Sequence, residues 1–259
     1  MPKYINLRGH EIWSYEFSRN GEPFVLLHGG LSATEDIDKY IVPAFVQTHH
    51  VFAYDRTGHG RTGDAPYSLH FDFQSGEAIA YLEDIVQAPA HLVGWSDGGI
   101  IALLVALQRP DLVKSIVAIG SNYHFKHGGQ PVAQWEISDK DRAEHAERSP
   151  DPVSALDAKT ERMRQIWNSE PTLSLQDIEK ITCPTLIMTA DDEFFSLAHI
   201  TSLYEALPQG RLAIIPGTSH FLIKEKPALV QAIIKDFLSD INPPQTRVPV
   251  RRAKPEIIG

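Results

Sequence analysis

A serine flanked by small residues stands in the first half of the chain, within LVGWSDGGII at residues 92–101. The central letters GWSDG fit the pattern G-x-S-x-G, between an apolar strand pattern and a helical pattern. A sharp strand-to-helix turn strains the backbone of its central residue, and glycines beside it avoid a steric clash. The turn would expose the Ser96 hydroxyl at a helix N-terminus, which stabilises nearby negative charge. These residue types predict a nucleophile; a glycine-rich turn with an incidental serine is the alternative.

A serine nucleophile needs a base, because a free hydroxyl is scarcely ionised at neutral pH. In one class of triad enzymes the chain order is nucleophile, acid, histidine. Of the 12 histidines, His220 alone follows Ser96 and a run of acids at the end of a buried strand pattern, RLAIIPG. We therefore assign His220 as general base and then general acid. The orienting acid is expected after the strand pattern TLIMTA, where three candidates stand in a row: Asp191, Asp192 and Glu193.

A second glycine pair ends an earlier strand pattern, in FVLLHGG at residues 24–30. Glycines at that place let backbone N–H groups approach a substrate closely. We expect the N–H groups of Gly30 and Asp97 to form an oxyanion hole for a tetrahedral intermediate. A tight turn that needs glycine is the plainer interpretation, and both can hold. His28 is expected to be structural, since it lies at a strand end.

The side chains beside the serine have two interpretations each. Asp97 would lie in the first turn of a helix, where a negative charge is favourable by about 0.3–1 kcal/mol. Alternatively, its carboxylate would bind a cationic group of the substrate, such as the ammonium of an amino ester. Trp95 is either a wall of the core or a substrate contact. We keep Trp95 and Asp97 as candidate substrate-binding residues.

Strand and helix patterns alternate along the chain and would position these residues. Continuous apolar runs occur at 24–30, 51–55, 91–95, 115–120, 185–190 and 211–217, and helical spacing at 71–87, 97–110, 196–208 and 227–241. Residues 3–17 alternate polar and apolar side chains and break at Arg8-Gly9, which predicts a hairpin. Continuous apolar strands are buried on both faces. The sequence therefore predicts an α/β fold with an open, mostly parallel sheet and helices on both faces.

The segment 121–182 interrupts this alternation, because it has no buried-strand pattern. It is rich in charge and predicts two to four amphipathic helices inserted between two strands. We expect residues 1–120 and 183–259 to form the core domain and residues 121–182 a small helical cap over the substrate pocket. Aromatic side chains of the cap would line that pocket or pack in its core: Tyr123, Phe125, Trp135 and Trp167.

Composition excludes several other functions. The 259 residues carry a formal net charge of −9, which argues against nucleic-acid binding, since that needs clustered basic residues. The basic tail at 246–259 is expected to be a loosely docked end. Cys183 is the only cysteine, so neither an internal disulfide nor a cysteine-rich zinc site can form. No apolar run predicts a membrane span or a signal peptide, which favours the cytoplasm.

Five motifs in order resemble those of the α/β-hydrolase superfamily, in its esterase, lactonase and haloperoxidase-like branch. They are FVLLHGG, YDRTGHGRT, LVGWSDGG, CPTLIMTADDEFF and IPGTSHF, and they span residues 24–221. GWSDGG in particular resembles a subgroup that includes valacyclovir-hydrolase-like enzymes. The resemblance implies Asp192 as the triad acid, because relatives place the aspartate first in D-E-F-F. Strict counting from Ala190, which replaces a usual glycine, lands on Glu193 as the alternate.

The resemblance implies a serine hydrolase without cofactor or metal, acting on a small-molecule carboxylic ester, lactone, thioester or amide through a Ser-His-Asp triad. A lyase or a perhydrolase could use the same triad, and a non-catalytic ligand-binding protein could keep the fold. Dehalogenases and epoxide hydrolases are disfavoured, since those relatives have an aspartate where this chain has Ser96. We expect no nucleic-acid or membrane partner, and the sequence leaves monomer and homodimer open.

Overall fold

The computed structural model describes residues 2–129, 136–242, 244 and 246–248. Trp135 and most of the basic tail lie outside the described residues. Within the described part, eight strands form one sheet in the order β1-β2-β4-β3-β5-β6-β7-β8. The strands are β1 Lys3–Leu7, β2 His10–Glu16, β3 Glu22–Leu27, β4 His49–Asp55, β5 Ala90–Trp95, β6 Val113–Ile119, β7 Thr185–Asp192 and β8 Gly210–Ser219.

The sheet is parallel except at one edge. β1 pairs with β2, and β2 with β4, in antiparallel register, whereas every other neighbouring pair is parallel. The predicted hairpin turn between β1 and β2 is present at Arg8 and Gly9, both of which have positive φ. Because parallel strands all end at one edge, the residues that follow β3, β5, β6, β7 and β8 meet there.

Helices cover both faces of the sheet, as the alternation predicts. They are α1 Asp38–Ile41, α2 Phe71–Tyr81, α3 Asp97–Gln108, α4 Asp139–Arg148, α5 Leu156–Trp167, α6 Leu175–Ile178, α7 Leu197–Ala206, α8 Leu222–Glu225 and α9 Pro227–Ser239. Helices α2, α3 and α7 contribute to one apolar cluster, and α1, α8 and α9 to a second one. The two clusters bury opposite sides of the same strands. The α/β-hydrolase fold expected from the sequence is confirmed.

The segment between β6 and β7 contains α4, α5 and α6 in its described part, where the sequence predicts two to four helices. Every residue of α4 is at least partly exposed, whereas α5 buries Met163 and Ile166 against the core. An ion pair joins two parts of this segment, since Nζ of buried Lys159 lies 3.0 Å from Oδ2 of Asp151. No helix among the described residues combines the length and apolar character needed to cross a bilayer.

Helix α3 is the most deeply buried helix that bears on the site. Every residue from Asp97 to Ala106 is buried, so the helix is apolar around its whole circumference rather than along one stripe. This burial fixes the position of its N-terminus, and hence of the residue that precedes it. The packing of α3 in the core therefore fixes the turn that carries Ser96.

Leu103→Ala tests this burial, because Leu103 lies in the middle of α3 with no exposed surface. We expect the free energy of unfolding to fall by about 2–5 kcal/mol, since the truncation leaves a cavity. Urea denaturation measures the change. The control is Leu229→Ala on α9, whose side chain is 42% exposed; it should change stability by about 0.5 kcal/mol or less. Equal losses in the two variants would contradict the buried position of α3.

Candidate active site

Ser96 lies at the sharp turn between β5 and α3, with φ 55° and ψ −122°. A residue other than glycine in this region of backbone space costs about 1–3 kcal/mol, and such strain clusters at functional sites. Close packing explains the flanking glycines. A Cβ on Gly94 would lie 2.2 Å from the Gly98 carbonyl, and a Cβ on Gly98 would lie 2.2 Å from the Leu27 carbonyl oxygen. The turn predicted from the sequence is present.

The structure brings Ser96 and His220 together. The serine Oγ lies 3.0 Å from Nε2 of the imidazole, within the range of a proton transfer. His220 follows directly after β8 and is buried. Nδ1 of the same ring lies 2.7 Å from Oε1 of Glu193. With its Nδ1–H donating to the carboxylate, the neutral imidazole presents Nε2 as an acceptor for the serine hydroxyl.

The choice of Asp192 as the triad acid is wrong, and the alternate, Glu193, takes that place. Asp192 is the last residue of β7, is exposed, and pairs through its backbone with Ser219. Asp191 is exposed as well, and its carboxylate accepts a hydrogen bond from the Thr218 N–H at 3.1 Å. Glu193 is the first residue beyond the strand, and its side chain is buried. Strict counting from Ala190 therefore gives the residue whose carboxylate reaches the ring, whereas Asp192 still belongs to β7 and is exposed.

The two amides predicted as an oxyanion hole line one cavity with Ser96. Within the described residues, neither the Gly30 N–H nor the Asp97 N–H donates a hydrogen bond to another protein group. A Cβ on Gly30 would lie 2.2 Å from the Asp97 carboxylate and 2.7 Å from the Trp167 ring. Glycine is therefore needed at residue 30, and both donors remain available to a negative oxygen near the serine.

Sequence reasoning missed the residue that holds the Gly30 loop. Arg56 is 1% exposed, and one guanidinium nitrogen donates to the carbonyl oxygens of His28 at 3.0 Å and Gly29 at 2.7 Å. Its other terminal nitrogen donates to the Gln74 side chain at 2.6 Å. Burial, together with the nearby guanidinium, lowers the pKa of His28 and keeps that ring neutral. The motif YDRTGHGRT carried the signal, since a charged residue directly after a buried strand needs buried acceptors.

The carboxylate of Asp97 faces the cavity and already has a partner. The indole N–H of Trp167, at the end of α5, lies 3.1 and 3.2 Å from its two oxygens. Burial raises the pKa of Asp97, while the charge on Arg56 and the indole hydrogen bond oppose that shift. Asp97 is thus both the first residue of α3 and the attachment point of a helix from the segment 121–182. The geometry is compatible with both interpretations of this side chain.

Trp95 supports the histidine and also forms part of the cavity wall. Its indole N–H donates to the His220 carbonyl oxygen at 2.9 Å. The centre of its ring lies 5.4 Å from that of the imidazole and 5.6 Å from that of Phe221. The tryptophan therefore restricts the motion of the base while it stays open to the cavity.

A cavity of about 500 Å³ opens above Ser96. Its apolar side chains include Ile100, Leu156, Trp167, Phe194, Phe195 and Phe221. Of the aromatic residues expected to line it, Trp167 does so. Tyr123 instead stacks on His199, with ring centres 4.1 Å apart, and Phe125 stacks on His124. A cavity of this size with a few polar groups suits a small-molecule ligand.

Comparison with known proteins agrees with this architecture. Residues 24–232 match the model of the alpha/beta hydrolase family. A curated relative, the (E)-2-((N-methylformamido)methylene)succinate hydrolase of Acinetobacter baylyi, is 28% identical over 235 residues, which cover 89% of this chain and 78% of that protein. The putative carbamate hydrolase RutD of Caulobacter sp. is 26% identical, with 83% of this chain and 90% of that protein covered.

Solved structures show the same fold. A serine hydrolase involved in carbazole degradation has a TM-score of 0.76 at 20% identity, covering 92% of this chain and 98% of that chain. An N-acyl homoserine lactone degrading enzyme has a TM-score of 0.73 at 21% identity, covering 91% of this chain and all 100% of that chain. Because the match to the family model covers most of this chain, the chain belongs to the alpha/beta hydrolase family.

Proposed function

We propose that this protein is a serine hydrolase that cleaves a carboxylic ester, or a related lactone, thioester or amide, of a small molecule through an acyl-enzyme. One observation carries the proposal. The hydrogen-bonded series of Ser96, His220 and Glu193 stands at the floor of a cavity, beside two amides that find no acceptor among the described residues. Nucleophile, base, orienting acid and oxyanion donors are the parts that acyl transfer requires.

Acylation starts when the Ser96 oxygen attacks the substrate carbonyl carbon while Nε2 of His220 takes the hydroxyl proton. The carbonyl oxygen gains the negative charge and accepts hydrogen bonds from the N–H groups of Gly30 and Asp97. Collapse of this intermediate breaks the bond to the leaving group, which receives the proton from His220. A water molecule then gives its proton to His220 and attacks the acyl carbon. The second collapse releases the acid and returns the proton to Ser96.

Glu193 acts through the histidine. Its carboxylate holds the tautomer in which Nδ1 carries the proton, and it stabilises the imidazolium that forms as Ser96 loses its proton. The side chain of Glu193 is only 3% exposed, so little water weakens this attraction. A glutamate therefore serves here in place of the aspartate that the sequence suggested.

The negative charge of Asp97 would oppose the oxyanion if it were unbalanced. Two neighbours reduce this effect. Trp167 donates its indole N–H to both carboxylate oxygens, and the charge of Arg56 opposes the rise in the pKa of Asp97 that burial causes. An ammonium group of an amino ester would have to share this carboxylate with the indole N–H, which already donates to both oxygens. The hydrogen bond to Trp167 therefore makes Asp97 a better support for the cavity wall than a substrate cation site.

The relatives guide the choice of substrates. Among them, a putative esterase/lipase and putative carbamate hydrolases are named for different bonds. The Acinetobacter baylyi relative is named for a succinate with an N-methylformamido group. A first screen should therefore contain short-chain and aryl esters, lactones, carbamates and amides. Product analysis with and without peroxide separates hydrolysis from perhydrolysis, and products formed without net addition of water would indicate a lyase.

Ser96→Ala tests the nucleophile. The unmodified protein should react covalently with a fluorophosphonate probe, and the variant should not, because the attacking oxygen is gone. The kcat for whichever substrate the screen identifies should fall by roughly six orders of magnitude. Ser239→Ala, at an exposed serine on α9, is the matched control and should keep both labelling and turnover. Labelling that survives in Ser96→Ala would refute the assignment.

Glu193→Gln and Asp192→Asn form a matched pair that tests the acid. Each change removes one negative charge with little change in shape. We expect kcat to fall by about 10²–10⁴-fold in Glu193→Gln, because the imidazolium loses its carboxylate partner. Asp192→Asn should stay within about twofold, since exposed charges contribute little. Steady-state kinetics on folded protein, checked by circular dichroism, gives the comparison, and the reverse order of effects would restore Asp192 as the acid.

A further inference from the structure

A lysine that forms no ion pair with any described residue lies beside the base. Lys224 is on α8, four residues after His220, and it lines the same cavity as Ser96. Its Nζ lies 5.6 Å from the centre of the Trp95 ring and 5.4 Å from that of Phe221. Within the described part of the chain, no carboxylate or carbonyl lies within hydrogen-bonding or ion-pair distance of this ammonium. The ammonium instead lies over the faces of these two rings, which attract a cation.

Several other charged groups around the cavity form ion pairs with one another. Arg148 lies 2.7 Å from Asp36, and Lys140 lies 3.6 Å from Glu144. The pKa of Lys224 is lowered, first by burial and also by repulsion from Lys140 and Lys39, although Asp36 and Glu144 attract it. The ammonium is therefore partly desolvated and surrounded by acids that already have cationic partners.

A desolvated charge without a partner is unfavourable unless a ligand supplies the opposite charge. The ring of Trp95 connects this ammonium to the catalytic centre, because the same ring packs against His220. A carboxylate at Lys224 and a carbonyl at Ser96 can then belong to one small molecule that lies across the Trp95 ring. The apolar side chains of the cavity would contact the carbons between the two groups.

We propose that the cavity takes substrates that carry a carboxylate besides the bond to be cleaved, and that Lys224 binds this carboxylate. The inference rests on the proposed function, since it names the substrate class of the same site. A monoester of a short dicarboxylic acid is the simplest molecule of this class. Its uncharged diester has the same carbon chain and serves as the comparison.

Binding to the Ser96→Ala protein tests the proposal without relying on catalysis. Isothermal titration calorimetry would measure the Kd of the monomethyl and dimethyl esters of succinate, glutarate and adipate. We expect at least one monoester to bind about tenfold or more tightly than its diester, because a charge-assisted hydrogen bond forms only with the anion. If every diester binds as well as its monoester, or if no member of the series binds, the proposal is overturned.

Substitutions at residue 224 assign the preference to this lysine. In the Ser96→Ala background, Lys224→Met should remove the preference for the monoester, and Lys224→Arg should keep it within about threefold. Lys235→Met removes the same charge from an exposed place on α9 outside the cavity and should leave the preference unchanged. A preference that survives in Lys224→Met, or one that Lys235→Met removes equally, would contradict the assignment.

The two proposals can fail separately. If the unmodified protein hydrolyses neutral esters and shows no preference for the monoester in either binding or kcat/KM, the carboxylate site is wrong and the hydrolase stands. If the Ser96→Ala protein binds monoesters through Lys224 while the unmodified protein cleaves none of the screened substrates, the binding site stands and the hydrolase is wrong.

Discussion

The strained backbone of Ser96 is the constraint on which the rest of the site depends. A residue with φ 55° and ψ −122° is held in place only if its surroundings allow no relaxed alternative. The buried strand β5 before it and the buried helix α3 after it supply that restraint, and the glycines at 94 and 98 leave room for the close approach of the backbone. The result is a hydroxyl at a fixed point above the sheet edge, toward which the other groups converge.

The groups that converge on this point come from loops that depend on different parts of the fold. Arg56 holds the His28-Gly29 carbonyls, and so the adjacent Gly30 amide, by hydrogen bonds made entirely inside the protein. Trp95 holds the backbone of His220 through its indole N–H. The indole of Trp167 reaches Asp97 from above. The hydrogen bonds of Arg56 and Trp95 are buried and that of Trp167 is partly buried, so the loss of any of them would leave a poorly solvated polar group at further cost.

Charge in and around the cavity is arranged asymmetrically. The acids either orient a catalytic group, as Glu193 does, or are matched by a donor, as Asp97 and Asp36 are. The ammonium of Lys224, by contrast, rests on two aromatic rings. A partly buried ammonium attracts negative ligands more strongly than an exposed one does, because water screens the attraction less in the lower dielectric of the protein. We propose that this asymmetry, rather than the triad, sets the substrate class within a fold that many hydrolases share.

Much of this protein was determined by sequence alone. The apolar runs predicted the buried parallel strands, and the small residues around Ser96 predicted the turn, because both rest on local geometry that neighbouring residues impose. The place of His220 after the last strand followed from the shared edge of a parallel sheet. The tertiary structure decided between Asp192 and Glu193, since the outcome depends on where β7 ends and which way each side chain points. The tertiary structure alone also revealed the partner of Asp97 and, among the residues it describes, the lack of an ion pair at Lys224, because contacts between distant segments leave no periodic signal in the chain.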